Sequence, residues 1–246
     1  MAGNEPLDGT AAIVTGASSG IGAATARALA DRGASVTLSA RRKERLQEIA
    51  GGIEDDGGEA AVVTADVTDD AQVAALVEET VEAFGRLDVV VANAGLGRDV
   101  AVEEMDTATY RQMMDVNVDG AFFTARESIP HLRETEGVLI FLSSFAGQYP
   151  RPGNPVYAAT KWWVQGFARS LAGSVGGDGI GVTTINPSEV RTAFGSEDDD
   201  AMADAFDPGE VTEPDEVAEA IAFAAVQDPP TAVNVDVYRR DKFAHF

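Results

Sequence analysis

Thr10-Ala11-Ala12-Ile13-Val14-Thr15-Gly16-Ala17-Ser18-Ser19-Gly20-Ile21-Gly22 is the stretch on which the reading of this chain turns. Thr10–Thr15 is apolar or β-branched and reads as a buried strand. A glycine-rich turn follows at once. After it, an Ala-rich run from Gly20 to Arg32 reads as a helix, with Gly33 as its stop. A strand entering a helix through such a turn lets the backbone approach a phosphate, which the free N–H groups at the helix start then hold. The same pattern fits a tight turn that binds nothing. Its place between a first strand and a first helix favours binding.

The alternation continues outward from there. Strands fit Ser35–Ser39, Ala60–Thr64, Asp88–Ala92, Gly137–Leu142, Ile180–Ile185 and Thr231–Val237. Helices fit Arg41–Ala50 (ended by Gly51-Gly52), Asp70–Phe84, Thr107–Val116, Gly120–Leu132, Val156–Leu171 and Pro214–Val226. Near-continuous apolar strands separated by helices predict an α/β fold, a parallel sheet of about seven strands with helices on both faces. No repeat or linker divides residues 1–246, which read as one domain. The acidic segment Ala193–Thr212, with Gly195, Pro208 and Gly209, reads as either a plain surface loop or a mobile substrate lid.

Composition narrows the function. The 246 residues carry 18 Lys+Arg and 41 Asp+Glu, a formal charge of −23. That charge repels phosphate backbones, so nucleic acid is not an expected partner. The absence of cysteine excludes disulfides, cysteine nucleophiles and thiolate metal sites. Two histidines, His131 and His245, leave little material for a His-rich metal centre or a Ser-His-Asp triad, and both read as surface residues. No apolar run approaches the roughly 20 residues that span a bilayer. Met1–Thr10 lacks a signal-peptide core, so the expected location is the cytoplasm. Only Lys43, Lys161 and Lys242 are lysines, and acids cluster at Glu54–Asp56 and Glu197–Asp200. This balance suits a salt-rich cytoplasm, because at about 1 M salt the Debye length shrinks to about 3 Å and self-repulsion is screened.

Tyr157 and Lys161 are four residues apart, hence on one face of a predicted helix. A phenol near pKa 10 is a poor proton donor and acceptor at neutral pH, and a nearby ammonium lowers that pKa towards the useful range. Ser144, thirteen residues earlier and just after a strand, is placed to donate to a carbonyl oxygen where negative charge develops. Ser143 competes for that role.

These elements together resemble the short-chain dehydrogenase/reductase family. Thr15-Gly16 through Gly22 is similar to its TGxxxGxG signature, Asn93-Ala94-Gly95 to its NAG element, and Tyr157–Lys161 to its Tyr-x-x-x-Lys pair. Pro187 and Thr192 resemble its Pro-Gly-x-x-x-Thr element, although Ser188 replaces the glycine. The resemblance covers nearly the whole chain in order and implies a single-domain Rossmann-type doubly wound fold, with residues 1–246 as one dinucleotide-binding and catalytic domain. It implies catalytic roles for Asn117, Ser144, Tyr157 and Lys161, and its spacing favours Ser144 over Ser143. It implies cofactor contacts from Gly16, Ser18, Ser19, Gly20, Ile21, Arg41, Arg42, Asp66, Val67, Asn93, Ala94, Gly95, Tyr157, Lys161, Pro187, Val190 and Thr192. Without the resemblance, Asn117 reads as a helix-end or turn residue and Asp66 as a helix N-cap.

The end of the second strand bears on which dinucleotide is used. An acid there would accept from the ribose 2′-OH and repel a 2′-phosphate. Here Ser39-Ala40-Arg41-Arg42 has no acid and two guanidiniums suited to phosphate, so NADP(H) is expected over NAD(H), unless the pair merely starts a solvated helix. The region YAATKWWVQGF and the ending PPTAVNVDV resemble the NADP-dependent serine or 3-hydroxy acid dehydrogenase branch. The expected activity is hydride transfer between NADP(H) and a small-molecule carbonyl or secondary alcohol. The alternatives are an NAD-dependent alcohol dehydrogenase and a non-catalytic dinucleotide-binding regulator. Relatives in the family are commonly tetramers or dimers, which implies a homo-oligomer. Trp162 and Trp163 point about 100° apart and suit core or subunit packing. Phe145 and Tyr149 either line a substrate pocket or simply pack.

Overall fold

A computed structural model describes residues 5–192, 194, 206–227 and 234–242. It contains β1 (Ala11–Thr15), α1 (Gly20–Ala30), β2 (Ser35–Ala40), α2 (Lys43–Asp55), β3 (Glu59–Thr64), α3 (Asp70–Phe84) and β4 (Val89–Ala92). The chain continues through α4 (Thr107–Met114), α5 (Gly120–Thr135), β5 (Val138–Leu142), α6 (Pro155–Val175), β6 (Gly181–Pro187), α7 (Pro214–Ala225) and β7 (Asn234–Val237). The strands form one parallel sheet in the order β3-β2-β1-β4-β5-β6-β7. Strand order reverses between β1 and β4, and in such sheets the crevice beyond the strand ends at that point is the binding position.

Both sheet faces are covered, as continuous apolar strands require. Val14, Val36, Leu38 and Val91 pack with α1, α2 and α7 on one side. Ile13, Val90, Leu139 and Phe141 pack with α3, α5 and α6 on the other. Ile13 and Val14 thus divide between the faces by the two-residue period of a strand. In the register Ile13 opposes Val90 and Val14 opposes Val91, so Thr15 ends beside the end of β4.

Helices α2, α4, α5 and α6 depart from the expected limits. Helix α2 does not stop at Gly51-Gly52 but runs to Asp55. Leu46, Ile49, Ala50 and Ile53 form its buried stripe, and burying a side chain such as Ile53 contributes about 1.5–3 kcal/mol, against about 1 kcal/mol for each helical glycine. The stop comes at Gly57, whose φ is +90°. Helices α4 and α5 are not separated either, because a π-helical turn at Asp115–Asp119 joins them. Helix α6 continues past the expected Leu171 to Val175.

His131 lies inside α5, which reaches Thr135, and is half-buried rather than superficial. Trp163 stacks on Phe167 at 4.8 Å while Trp162 is 51% exposed, so the two indoles do diverge. His245, the first three residues of the expected strand Thr231–Val237, and most of the segment Ala193–Thr212 lie outside the described residues.

Candidate active site

The glycine turn is locked onto the end of β4. Thr15 Oγ1 accepts from the N–H groups of Asn93 (3.1 Å) and Ala94 (3.2 Å). Asn93 Nδ2 donates to the carbonyls of Thr15 (2.7 Å) and Gly16 (3.3 Å). Asn93 therefore spends its amide on shaping the turn. A Cβ at Gly22 would stand 2.4 Å from the Gly16 carbonyl oxygen and 2.6 Å from Asn93 Nδ2, so no larger residue fits. Gly16 and Gly20 have φ of +67° and +53°, the left-handed region that favours glycine.

Ser19 occupies the N-cap of α1 without a side-chain cap hydrogen bond. The first-turn N–H groups, which no intrahelical carbonyl serves, consequently face the crevice uncapped. The hydroxyls of Ser18 and Ser19 instead accept from Arg42 Nη2, at 3.1 and 3.0 Å. Arg41 is more open: its side chain is 69% exposed and its Nη1 lies 3.9 Å from Asp66 Oδ2. Asp66 is not an N-cap. Its Oδ1 accepts from Thr68 N and Oγ1, while Asp69 caps α3 through Ala71 and Gln72. Val67 is buried against Gly120.

On the other side of the crevice, Ser144 caps a short 3₁₀ turn, Phe145–Gly147, by accepting from Ala146 N at 3.1 Å. Its hydroxyl also hydrogen-bonds the Tyr157 phenol. Ser143 is turned away, donating to the Lys161 carbonyl at 3.3 Å. The geometry thus separates the two serines: Ser144 lies by the Tyr157 phenol and Ser143 by the Lys161 carbonyl. Tyr157 and Lys161 share one face of α6, whose N-cap Asn154 accepts from Tyr157 N. Lys161 Nζ donates to the Leu142 carbonyl at 2.8 Å and lies 5.7 Å from the Tyr157 ring centre.

Asn117 sits in the π-helical turn, 2% exposed. Its amide closes a two-way clasp on Leu96, accepting from Leu96 N and donating to Leu96 O, both at 2.8 Å. It also donates to Thr160 Oγ1 at 3.0 Å. The extra residue of a π turn re-aims a side chain that a regular helix would direct elsewhere. A Cβ at Gly95 would stand 3.4 Å from both Asn117 Oδ1 and Lys161 Nζ, so these three residues converge.

Electrostatics differ from the sequence expectation at one point. Burial pushes the Tyr157 phenol above its ordinary pKa, against the lowering effects of the Ser144 hydrogen bond and the Arg151 charge. Desolvation outweighs both, because the phenolate loses more hydration than these groups return. Burial also pushes Lys161 down, to about 8.

The third wall follows β6. Pro187 pairs with Val237, and Val190 bridges to Thr212. Ser188, in the family's glycine position, needs no glycine: Glu136 is the sole non-glycine with positive φ among the described residues. Thr192 Cγ2 would meet a Cβ on Gly20 at 3.1 Å, which places Thr192 over the start of α1. Phe194 packs on Tyr157 with ring centres 5.5 Å apart.

A glycine turn with an uncapped helix start, facing a Ser–Tyr–Lys cluster across one crevice, has matching relatives. The family model for short chain dehydrogenases matches residues 10–203. The chain belongs to the short-chain dehydrogenase family. This dehydrogenase is 37% identical over 220 residues to cis-4-hydroxycyclohexanecarboxylate dehydrogenase of Sinomonas cyclohexanicum, covering 87% of this chain and 88% of that protein. Among solved structures, an alcohol dehydrogenase from the archaeon Thermococcus sibiricus complexed with 5-hydroxy-NADP superposes with a TM-score of 0.87 at 29% identity, covering 96% of this chain and 99% of that one. A 3-ketoacyl-(acyl-carrier-protein) reductase from Brucella melitensis complexed with NADH gives 0.84 at 32%, covering 94% and 98%. The dehydrogenase has an oxidoreductase's dinucleotide-binding fold, and no helix among its described residues is long and apolar enough to cross a membrane.

Three residues at the site escaped the sequence reading: Thr160 accepts from Asn117, Gly97 faces the Tyr157 ring and Phe194, and the Arg151 charge acts on the Tyr157 phenol. Only Gly97, close behind Asn93–Gly95, carried a positional signal.

Proposed function

We propose that this dehydrogenase is an NADP(H)-dependent carbonyl reductase, reversible as an alcohol dehydrogenase. The observation that carries the reading is the convergence of Ser144, Tyr157 and Lys161 on the crevice that the bare glycine turn borders. The turn fits a dinucleotide: Gly16 and Gly22 bring the backbone close, and the uncapped N–H groups of α1 suit a pyrophosphate. Gly16, Ser18, Ser19, Gly20, Ile21 and Thr192 would hold it there, with Asp66 and Val67 at the adenine end and Ala94, Gly95, Pro187 and Val190 at the nicotinamide end. The nicotinamide supplies or takes the hydride.

The chain's own groups do the rest. Ser144 Oγ donates to the substrate carbonyl oxygen, where negative charge grows. Tyr157 Oη delivers its proton to that oxygen in reduction and accepts it in oxidation. A phenol held above its ordinary pKa stays protonated at neutral pH, ready to donate. The Lys161 ammonium stabilises the phenolate left behind and binds the nicotinamide ribose. Asn117 fixes Leu96 and Thr160, and through them the backbone around Tyr157.

For the cofactor, Ala40 ends β2 without a carboxylate, and Arg41 and Arg42 flank the turn. Arg41→Ala should weaken NADPH binding while hardly changing NADH binding. A charge-assisted hydrogen bond is worth roughly 1.5–3 kcal/mol, which corresponds to about ten- to a hundred-fold. Exposure of Arg41 favours the lower end. Fluorescence titration with both cofactors checks this; equal weakening of both, or a wild type that prefers NADH, would overturn the NADP(H) assignment.

The substrate side suits a hydroxy acid of the serine or 3-hydroxy acid dehydrogenase type, and the relative that acts on a hydroxycyclohexanecarboxylate supports that class. We assign the protein to a cytoplasm rich in salt and to a homo-oligomeric state, tetramer or dimer, with 193–212 as a substrate lid. A charge of −23 favours the salt-rich setting. The thermal midpoint should climb as KCl rises from low to molar concentration; a flat or falling curve would refute that setting.

A further inference from the structure

We propose that Lys242 is a positioning residue for the reaction: by holding Glu189 and the Phe145 ring together, it fixes the turn that carries Ser144 against the loop that follows β6, and so sets where the Ser144 hydroxyl meets the substrate oxygen. The assignment rests on the reading of Ser144 as the group that polarises the carbonyl.

The turn after β5 has two sides. Its inner side is set by α6: Ser143 Oγ donates to the Lys161 carbonyl at 3.3 Å, and a Cβ on Gly147 would stand 2.8 Å from that same oxygen. Its outer side is Phe145 and Gln148, and both are held by β7 and the residues after it. Gln148 Nε2 donates at 2.8 Å to Asp236 Oδ1, which also accepts from Asn186 Nδ2 at 3.0 Å. Phe145 stacks on Tyr149 with ring centres 4.3 Å apart and meets Tyr238 edge-on at 6.4 Å. The Lys242 ammonium lies 4.8 Å from the centre of the same ring. Phe145 adjoins Ser144, whose oxygen caps this turn, so a shift of the ring moves the hydroxyl.

Lys242 joins that ring to the opposite wall. Its Nζ donates to Glu189 Oε2 at 2.5 Å, and Glu189 stands between Pro187 and Val190. Glu189 Oε1 accepts from Arg151 Nη1 at 3.4 Å, on the stretch between the turn and α6. Burial alone would raise the Glu189 carboxyl, yet the Lys242 hydrogen bond leads the effects that hold it below its usual range, so it is ionised at neutral pH. The side chains of Lys242 and Glu189 are only 18% and 25% exposed, which limits screening of the pair by salt. Lys242 is itself anchored. Its N–H donates to the Arg239 carbonyl at 2.9 Å, and Arg239 donates to the Val211 carbonyl at 2.8 Å and to Glu216, in the first turn of α7, at 2.7 Å. A lysine tethered at its backbone, with its ammonium shared between a carboxylate and an aromatic face, is a fixed strut. Such placement matters because moving a reacting group by about 1 Å costs on the order of 10²-fold in rate.

The test uses Lys242→Met, Lys242→Arg and Glu189→Gln, with NADPH and either acetoacetate or levulinate. Methionine keeps an unbranched apolar stem over Phe145 and removes the ammonium. Lys242→Met should lower kcat and the single-turnover rate of NADPH oxidation about tenfold, with KM and the Kd for NADPH within about twofold of wild type, the pattern of an interaction realised only in the transition state. That loss is smaller than the roughly 10²–10³-fold that follows removal of a whole donor to a developing oxyanion. Lys242→Arg, which keeps both contacts, should recover most of it, and Glu189→Gln should lose rate in the same sense but less. Hydrogen exchange should quicken at residues 146–149, whose N–H groups bond to Ser144 and Phe145, in Lys242→Met and not in Lys242→Arg. An unchanged single-turnover rate in Lys242→Met, a rise in KM alone, or an arginine variant as impaired as the methionine one would each overturn the proposal and leave the reductase reading intact. Quickened exchange in Lys242→Met without turnover of either probe by wild type would sustain the strut and sink the reductase reading.

Discussion

Tyr157→Phe should lose nearly all turnover, on the order of 10²–10⁴-fold, the contribution typical of a positioned general acid. Binding of NADPH should stay close to wild type. The substitution removes one hydroxyl and keeps the ring that packs on Phe194, 5.5 Å away, and faces Gly97. Ser144 still caps its turn through Ala146, so its oxygen stays in place to hold a substrate carbonyl. The proton that Tyr157 Oη would deliver is lost with the hydroxyl. Steady-state rates beside a fluorescence titration of the cofactor separate the two effects. Retained turnover would remove Tyr157 from the mechanism.

Lys161→Met should be inactive and, measured without added nucleotide at neutral pH, more stable than wild type. Lys161 is 4% exposed, and burial lowers its pKa from 10.5 to about 8. At about 1.36 kcal/mol per pKa unit, keeping that ammonium charged in the folded state costs roughly 3 kcal/mol. Methionine avoids this cost but leaves the Leu142 carbonyl without its donor, a loss of about 1 kcal/mol. The net gain is on the order of 2 kcal/mol. Its pH dependence has a definite sign. Between pH 8 and 10.5 the unfolded chain binds more protons at this lysine than the folded one does, so wild-type stability rises with pH there. The advantage of methionine should therefore be complete below pH 8 and fade as pH approaches 10.5. Denaturant curves at several pH values read it directly. A destabilised variant at pH 7 would mean that the buried ammonium is compensated by groups beyond Leu142.

The balance between these two effects shows where sequence reasoning reached and where it stopped. Gly16, Gly20 and Gly22 were legible because their requirement is local: positive φ or a backbone approach that no side chain permits. Tyr157 and Lys161 were legible because helical spacing alone puts them on one face. Strand alternation gave the sheet, since buried parallel strands admit few polar residues. The extension of α2 through Gly51 and Gly52 was not legible, because Ile53 completes a stripe whose burial only tertiary contact reveals. Asn117 was placed but its surroundings were not: the π turn that aims it at Leu96 arises where two helices join without a break. The direction of the Tyr157 pKa was missed for a related reason. An ammonium four residues away is visible in sequence, whereas the desolvation that raises the phenol depends on the enclosing walls, and the groups that oppose it are Ser144 and Arg151.

The most direct test of the central claim, hydride transfer governed by Ser144, Tyr157 and Lys161, follows deuterium from NADPH labelled at C4 of the nicotinamide. Wild type incubated in high salt with acetoacetate and levulinate should place the label on the carbinol carbon of the product, and Tyr157→Phe should place almost none there. Consumption of neither cofactor nor substrate by the wild type, or an alcohol product that carries no label from either C4 position, would contradict the account.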